Sequence, residues 1–100
     1  MPYRTTLRAD EDIIGIYADG ARAFGTVQAD RYFAGLIDCF ALLARHPSLA
    51  RERSELNPPV RVHFHKSHVI AYLAEREGIL IVRVLGGRQQ WEEHFGSLPA

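Results

Sequence analysis

The chain is predicted to be an α+β protein of order β-α-α-β-β-β: an antiparallel helix hairpin packed on one face of a small, mainly antiparallel sheet, with a short C-terminal helix. Three observations predict it. Two consecutive stretches carry apolar residues at helical spacing, separated by Gly25 alone. Three later runs, at 60–66, 68–72 and 79–85, read as strands and are joined by Lys66-Ser67 and by Glu75-Arg76-Glu77-Gly78, which fit hairpin turns. A chain of 100 residues is the size of one domain, with a single core and no detectable internal repeat.

Taken in order, Tyr3-Arg4-Thr5 is a short strand. Thr6 can cap a helix, since its hydroxyl accepts from a free amide of the first turn. Asp10, Glu11 and Asp12 then sit where acids suit the helix dipole, as a solvated helix start. Ile13, Ile16, Tyr17, Gly20 and Phe24 form its apolar stripe, and Gly25 ends it. Thr26 can cap the second helix, whose broad stripe runs from Val27 through Phe33, Leu36, Ile37, Phe40 and Leu43 until Pro47 stops it. Residues 48–59 are a polar connector ending in Asn57-Pro58-Pro59, which forbids helix.

Alternation sorts the strand side chains into two sets. Val62, Phe64, Leu80, Val82 and Val84 are expected on the core face under the helices. Arg61, His63, His65, Ile79, Ile81, Arg83 and Leu85 are expected on a second, working face. The last strand is apolar on both faces and is therefore central. Gly86-Gly87 ends the sheet, and 88–95 has room for a short helix with Trp91 and Phe95 packing back.

Composition narrows the class. With 47% hydrophobic and 24% charged residues and a net charge of zero, the chain is an ordinary globular protein rather than a disordered tail. No apolar run approaches the length of a bilayer span. Met1-Pro2-Tyr3-Arg4 is not followed by an apolar stretch of the secretory kind, so a cytoplasmic location is expected. The single Cys39 excludes an internal disulfide and reads as a core thiol. Acids dominate the first forty residues and arginines the rest, so the second half could meet nucleic acid or an acidic protein, but the excess is smaller than a non-specific DNA binder normally carries, and no sequence-specific nucleic-acid binding by the chain alone is expected.

The motifs, in order, resemble the ParE branch of the RelE/ParE toxin superfamily. Leu7-Arg8-Ala9-Asp10-Glu11-Asp12-Ile13 with Ile16 is similar to that family's opening helix, and Gly25, Gln28, Ala29 and Tyr32 to its second. Phe40-Ala41-Leu42-Leu43-Ala44 with Pro47, Leu49, Ala50 and Arg51 is similar to its helix end and connector, with Ala50 where Gly is usual. Val60-Arg61 fits its first hairpin strand. His68-Val69-Ile70-Ala71-Tyr72 and Ile79 through Arg83-Val84-Leu85 to Gln90 resemble its closing strands, except that Gly86 stands where His is usual and Gln90 where Asp is usual. The resemblance covers essentially the whole chain. It implies the toxin of a type II toxin–antitoxin module that inhibits bacterial growth by binding DNA gyrase. It also implies neutralisation by the C-terminal segment of a ParD-like antitoxin, and no cofactor. The sister branch of RelE-like toxins implies an alternative, ribosome-dependent cleavage of messenger RNA.

Each chemistry has its candidate residues. A nuclease needs cations for a phosphorane-like transition state and an acid–base pair, for which Arg61, Arg83, Lys66 and His65 are available, with His63 and Arg88 in reserve. A binding inhibitor needs none of these as catalysts. Its target contacts are then expected at Arg83, Arg88, Trp91 and His94, and its antitoxin contacts at Arg61, Ile79, Ile81, Arg83 and Leu85, on the second sheet face or in a groove between that face and the helix hairpin. His63, His65 and His68 resemble a metal trio, but no Cys or nearby carboxylate completes a site, so no metal is expected. Ser67 beside His68 reads as a turn rather than a nucleophile and base. Arg83, on a central strand, requires either a working surface or an acid such as Glu75 or Glu77.

Overall fold

The computed structural model describes residues 2–55 and 59–86. Strand β1 (Tyr3–Thr5) leads into helices α1 (Leu7–Phe24) and α2 (Thr26–Arg45) and a 3-10 turn at Pro47–Leu49. Strands β2 (Glu52–Arg53), β3 (Val60–His65), β4 (His68–Glu75) and β5 (Gly78–Gly86) follow. They form one five-stranded sheet in the order β1-β5-β4-β3-β2. β1 runs parallel to β5, and the other neighbours are antiparallel. The expected α+β order is present, and β2 is an addition to it: two residues inside a polar connector carry no periodicity to reveal them. The helix expected at 88–95, with Arg88, Trp91 and His94, lies outside the described residues.

The helix ends follow from local chemistry. Thr6 caps α1, its hydroxyl oxygen accepting the Ala9 amide at 3.0 Å. The same hydroxyl donates to the Val82 carbonyl of β5 at 2.8 Å, so one side chain fixes helix and sheet together. Gly25 sits at φ +89°, a conformation L side chains resist, and serves both helices: its amide meets the Ala21 carbonyl and its carbonyl accepts the Ala29 amide. Thr26 is therefore the first residue of α2 and makes no side-chain capping bond, contrary to the expected cap.

The main core lies between the helices and the sheet. Ala9 of α1 and Leu36, Cys39, Phe40, Leu43 and Ala44 of α2 pack on Ile70 and Tyr72 of β4 and Ile79, Ile81 and Val84 of β5. Val60, Val62, Val69, Ala71 and Leu85 form a second buried cluster on the opposite face. The faces expected from alternation are corrected by this arrangement. The alternating sets hold for β3 and for β5 as far as its bulge, but their faces are exchanged. Ile79 and Ile81, expected on an open face, are fully buried against the helices. Val62, expected under the helices, belongs to the far cluster, and Leu80, half-buried, pairs with Leu73, which packs against that cluster. Arg61 and His63 pair across β3–β4 with Tyr72 and Ile70, both residues of the helix-side core. Two strands apolar on both faces give alternation no way to choose between layers.

A register shift makes Val84 the exception. Tyr72 pairs with Ile81 but Ala71 with Arg83, so Val82 is the extra residue of a bulge. Ile81 and Val84, three apart, thereby share the helix-side core. At the opposite end of β5, Gly78 has φ +136°, and a Cβ there would lie 1.8 Å from the Pro2 carbonyl oxygen. That carbonyl accepts the Ile79 amide at 3.4 Å, extending the β1–β5 pairing. Among the described residues no helix is long and apolar enough to cross a membrane.

Candidate partner-binding groove

Helix α1 is amphipathic, yet Ala9 is its one buried residue. Ile13 and Ile16 are only half-buried, and Phe24, at the end of the stripe, is 76% exposed. Helix α2 repeats the pattern near the hairpin bend, where Val27 is 67% exposed and Phe33 40%. An apolar stripe normally supplies the burial that makes a helix stable. Here part of it is left in water, and large contiguous apolar surface of this kind marks an interaction site.

The shape agrees with that reading. A groove of about 430 Å³ runs between the helices, walled by Ile13, Ile16, Ala23 and Phe24 of α1 and by Ala29, Tyr32, Phe33 and Leu36 of α2, and ends at Ser67 and His68 of the β3–β4 turn. Across the bend, the Tyr17 hydroxyl donates to Asp30 at 2.5 Å and its ring meets Phe33 edge-on at 6.2 Å, holding the walls together. The sequence shows the stripe residues but not this groove, because helical periodicity does not say how much of a stripe its own sheet will cover.

The far end of the groove is polar. The Tyr32 hydroxyl lies 2.5 Å from His68 Nδ1 and 3.4 Å from the His65 carbonyl. The hydroxyl donates to that carbonyl, and its contact with Nδ1 joins α2 to the β3–β4 turn. Lys66, at φ +52° in the tight turn, places its ammonium 6.0 Å from the centre of the Tyr32 ring. Burial pushes His63, His65 and His68 below the ordinary imidazole value; Lys66 and His63 add to the shift of His65, and His65 to that of His68. Burial pushes the Tyr32 hydroxyl up, against the neighbouring Ser67. His65 Nε2 is buried with no hydrogen-bond partner.

The residues expected to do chemistry are mostly occupied. Arg83 forms a two-pronged pair with Asp12 of α1, and Arg61 donates to the Ala50 carbonyl at 2.7 Å. The partner of Arg83 is thus neither Glu75 nor Glu77; Glu75 pairs instead with Arg4 on the exposed sheet edge. Asp12, expected in solvent, is largely shielded, whereas Asp10 and Glu11 do remain exposed. Leu85, like Ile79 and Ile81, is buried rather than open to an antitoxin. Among the described residues, no group of three or more His, Cys, Asp or Glu is placed to hold a metal ion. Cys39 is buried, and burial pushes its thiol up, which keeps it protonated and inert.

A helix hairpin over a mixed sheet, with Arg61 and Arg83 tied into the scaffold and an apolar groove left open, defines a small α+β protein. Its fold matches a solved structure, "Chromosomal ParDE TA system from P. aeruginosa", with a TM-score of 0.75, at 18% identity, over 88% of this chain and 97% of that one. The family model for the ParE toxin of the type II toxin–antitoxin system parDE matches residues 3–91, and the chain belongs to that family. Among its relatives, Toxin ParE1 of Caulobacter vibrioides is 30% identical over 97 residues, covering 95% of this chain and 98% of the relative. Toxin ParE3 of the same bacterium is 27% identical over 86 residues, covering 86% of each. The resemblance seen in the motifs and the match to the whole fold therefore agree.

Proposed function

We propose that this chain is a toxin that acts by binding. It inhibits DNA gyrase in the cytoplasm and is held inactive by a cognate antitoxin whose C-terminal segment docks in the groove of the helix hairpin. The observation that carries the docking site is the uncovered apolar stripe of α1 and α2, where Phe24, Val27 and Phe33 stand in solvent beside a preformed groove. An amphipathic helix or extended segment laid there would add the burial that the hairpin lacks. This reading moves the antitoxin from the second sheet face to the hairpin, since Ile79, Ile81 and Leu85 have no exposed surface to offer. A partner of the ParD kind is supported by membership of the ParE family and by the shared fold with a chain of a ParDE system.

Gyrase as target is supported by the family resemblance. It is also favoured by the fate of the arginines: Arg61 and Arg83, the cations a nuclease would need, are engaged with Ala50 and Asp12. The test combines purified chain, gyrase and relaxed plasmid in one assay and a translation reaction carrying a defined message in another. Loss of supercoiling with accumulation of cleaved plasmid, and an intact message, is the expected result. Normal supercoiling with cleavage of the message on the ribosome would replace this reading by the nuclease one.

A further inference from the structure

Among the described residues, the polar end of the groove is a cationic corner without a counter-charge. Lys66 is exposed, and among the described residues no carboxylate lies within ion-pair distance of it. The groups acting on His65 and His68 are likewise other basic side chains, not acids. Arg4, Arg8, Arg22, Arg53, Arg61 and Arg83 each meet an acid or a carbonyl, and Lys66 does not. The corner is also rigid. The turn has two residues, His65 pairs with His68 across it, and Tyr32 ties His68 to α2. Ser67 and His68 line the groove itself.

We infer that this corner is an anchor for an acidic side chain of the groove's occupant. A carboxylate from the docked segment pairs with the Lys66 ammonium beside Ser67 and His68, while the apolar walls receive the rest of the segment. The partner chemistry is therefore an apolar segment with an Asp or Glu at one end, and the corner fixes its direction along the groove. At the bend end, the Asp19 carboxylate lines the groove, and Arg22 already pairs with it, so that end does not compete for an acid. Complementary charge at one end of an apolar site contributes register and discrimination more than raw affinity.

The inference rests on the proposal that the antitoxin occupies the groove, and the test separates the two. The probe is the protein encoded beside this gene, titrated calorimetrically into folded chain. Lys66→Glu should weaken binding about 10-fold or more, and His68→Phe by a smaller factor. Changing the partner's acids one at a time to Arg should find one change that restores binding to Lys66→Glu while weakening binding to the wild type. Phe24→Glu reports on the groove alone. If Phe24→Glu weakens binding while Lys66→Glu and His68→Phe leave it unchanged, the groove stands and the anchor is overturned. If Lys66→Glu weakens binding with charge rescue while Phe24→Glu does not, Lys66 meets a partner acid outside the groove, and the groove reading falls together with its anchor. Loss of affinity in Lys66→Glu that no partner charge restores also overturns the anchor.

Discussion

Arg83 of β5 and Asp12 of α1 join through two parallel hydrogen bonds, Nε to Oδ2 at 2.8 Å and the terminal nitrogen to Oδ1 at 3.0 Å. The same carboxylate accepts the Val84 amide at 2.9 Å. β1 pairs with β5 only as far as Ile81, and the backbone beyond it would otherwise lack a partner on that side. Thr6 and Asp12 supply one, meeting Val82 and Val84 in turn. The pair is largely shielded, with side chains 14% and 15% exposed, and contact with Asp12 raises the Arg83 pKa further above its usual value.

Asp12→Ala is expected to remove both functions of the carboxylate and to lower stability by about 3 kcal/mol. Arg83→Met should cost about 2 kcal/mol, and the double variant less than the sum, since each single change strands part of one network. Urea unfolding checks this. Strictly additive losses would show that Arg83 and Asp12 are not coupled.

Tyr72 is fully buried and its hydroxyl donates to the Pro47 carbonyl at 2.8 Å, while the Ala50 amide reaches it at 3.4 Å. It ties the turn after α2 to the centre of the sheet. Tyr72→Phe should cost about 1–2 kcal/mol by leaving that carbonyl unpaired. Hydrogen exchange should show the loss concentrated at residues 47–53 rather than in α1.

Gly78 is fixed by space as well as by dihedral angle. Gly78→Ala must displace the Pro2 backbone and hold a left-handed conformation. It should destabilise the fold by about 2 kcal/mol or more and release β1 from β5, seen as faster amide exchange at Thr6 and Ile79. An Ala variant as stable as the parent would contradict the close approach.

How much of this was legible in the sequence depends on how local the signal is. The Thr6 cap, the Gly25 break and the Lys66-Ser67 turn are set by a few adjacent residues, and all three are where the sequence placed them. The choice of sheet face was not legible. Within β5 the two faces are equally apolar, so Ile79 and Leu80 give no choice between them, and the arginine and histidines that share the Ile79 set point to the wrong one; only the packing of α2 decides which set is covered. The bulge at Val82 then moves Val84 from one set to the other. The partner of Arg83 lies 71 positions away, so no reading of nearby acids could have found it. The groove was hidden for a related reason: Ile13, Ile16 and Phe24 look like core by spacing, and their exposure is a property of the assembled sheet.

Acid should weaken the fold before any carboxylate titrates. Burial holds His63, His65 and His68 below the ordinary value of 6.5 in the folded chain. As pH falls through 6.5, the unfolded chain takes up protons that the folded chain does not, so stability declines between neutrality and the folded-state values and levels off below them. The urea midpoint at pH 5.5 should lie below that at pH 7.5, and His65→Gln should reduce the difference. A midpoint that rises on acidification would contradict burial as the cause.

The most direct test of the central claim, that the hairpin groove is where the antitoxin acts, is bacterial growth on expression of Phe24→Glu/Phe33→Glu with and without the gene encoded beside this one. Both positions are exposed, so the fold should survive the changes. The account predicts that the wild type stops growth and is rescued by the neighbouring gene, whereas the variant stops growth and is not rescued. Full rescue of a toxic, folded variant would contradict it.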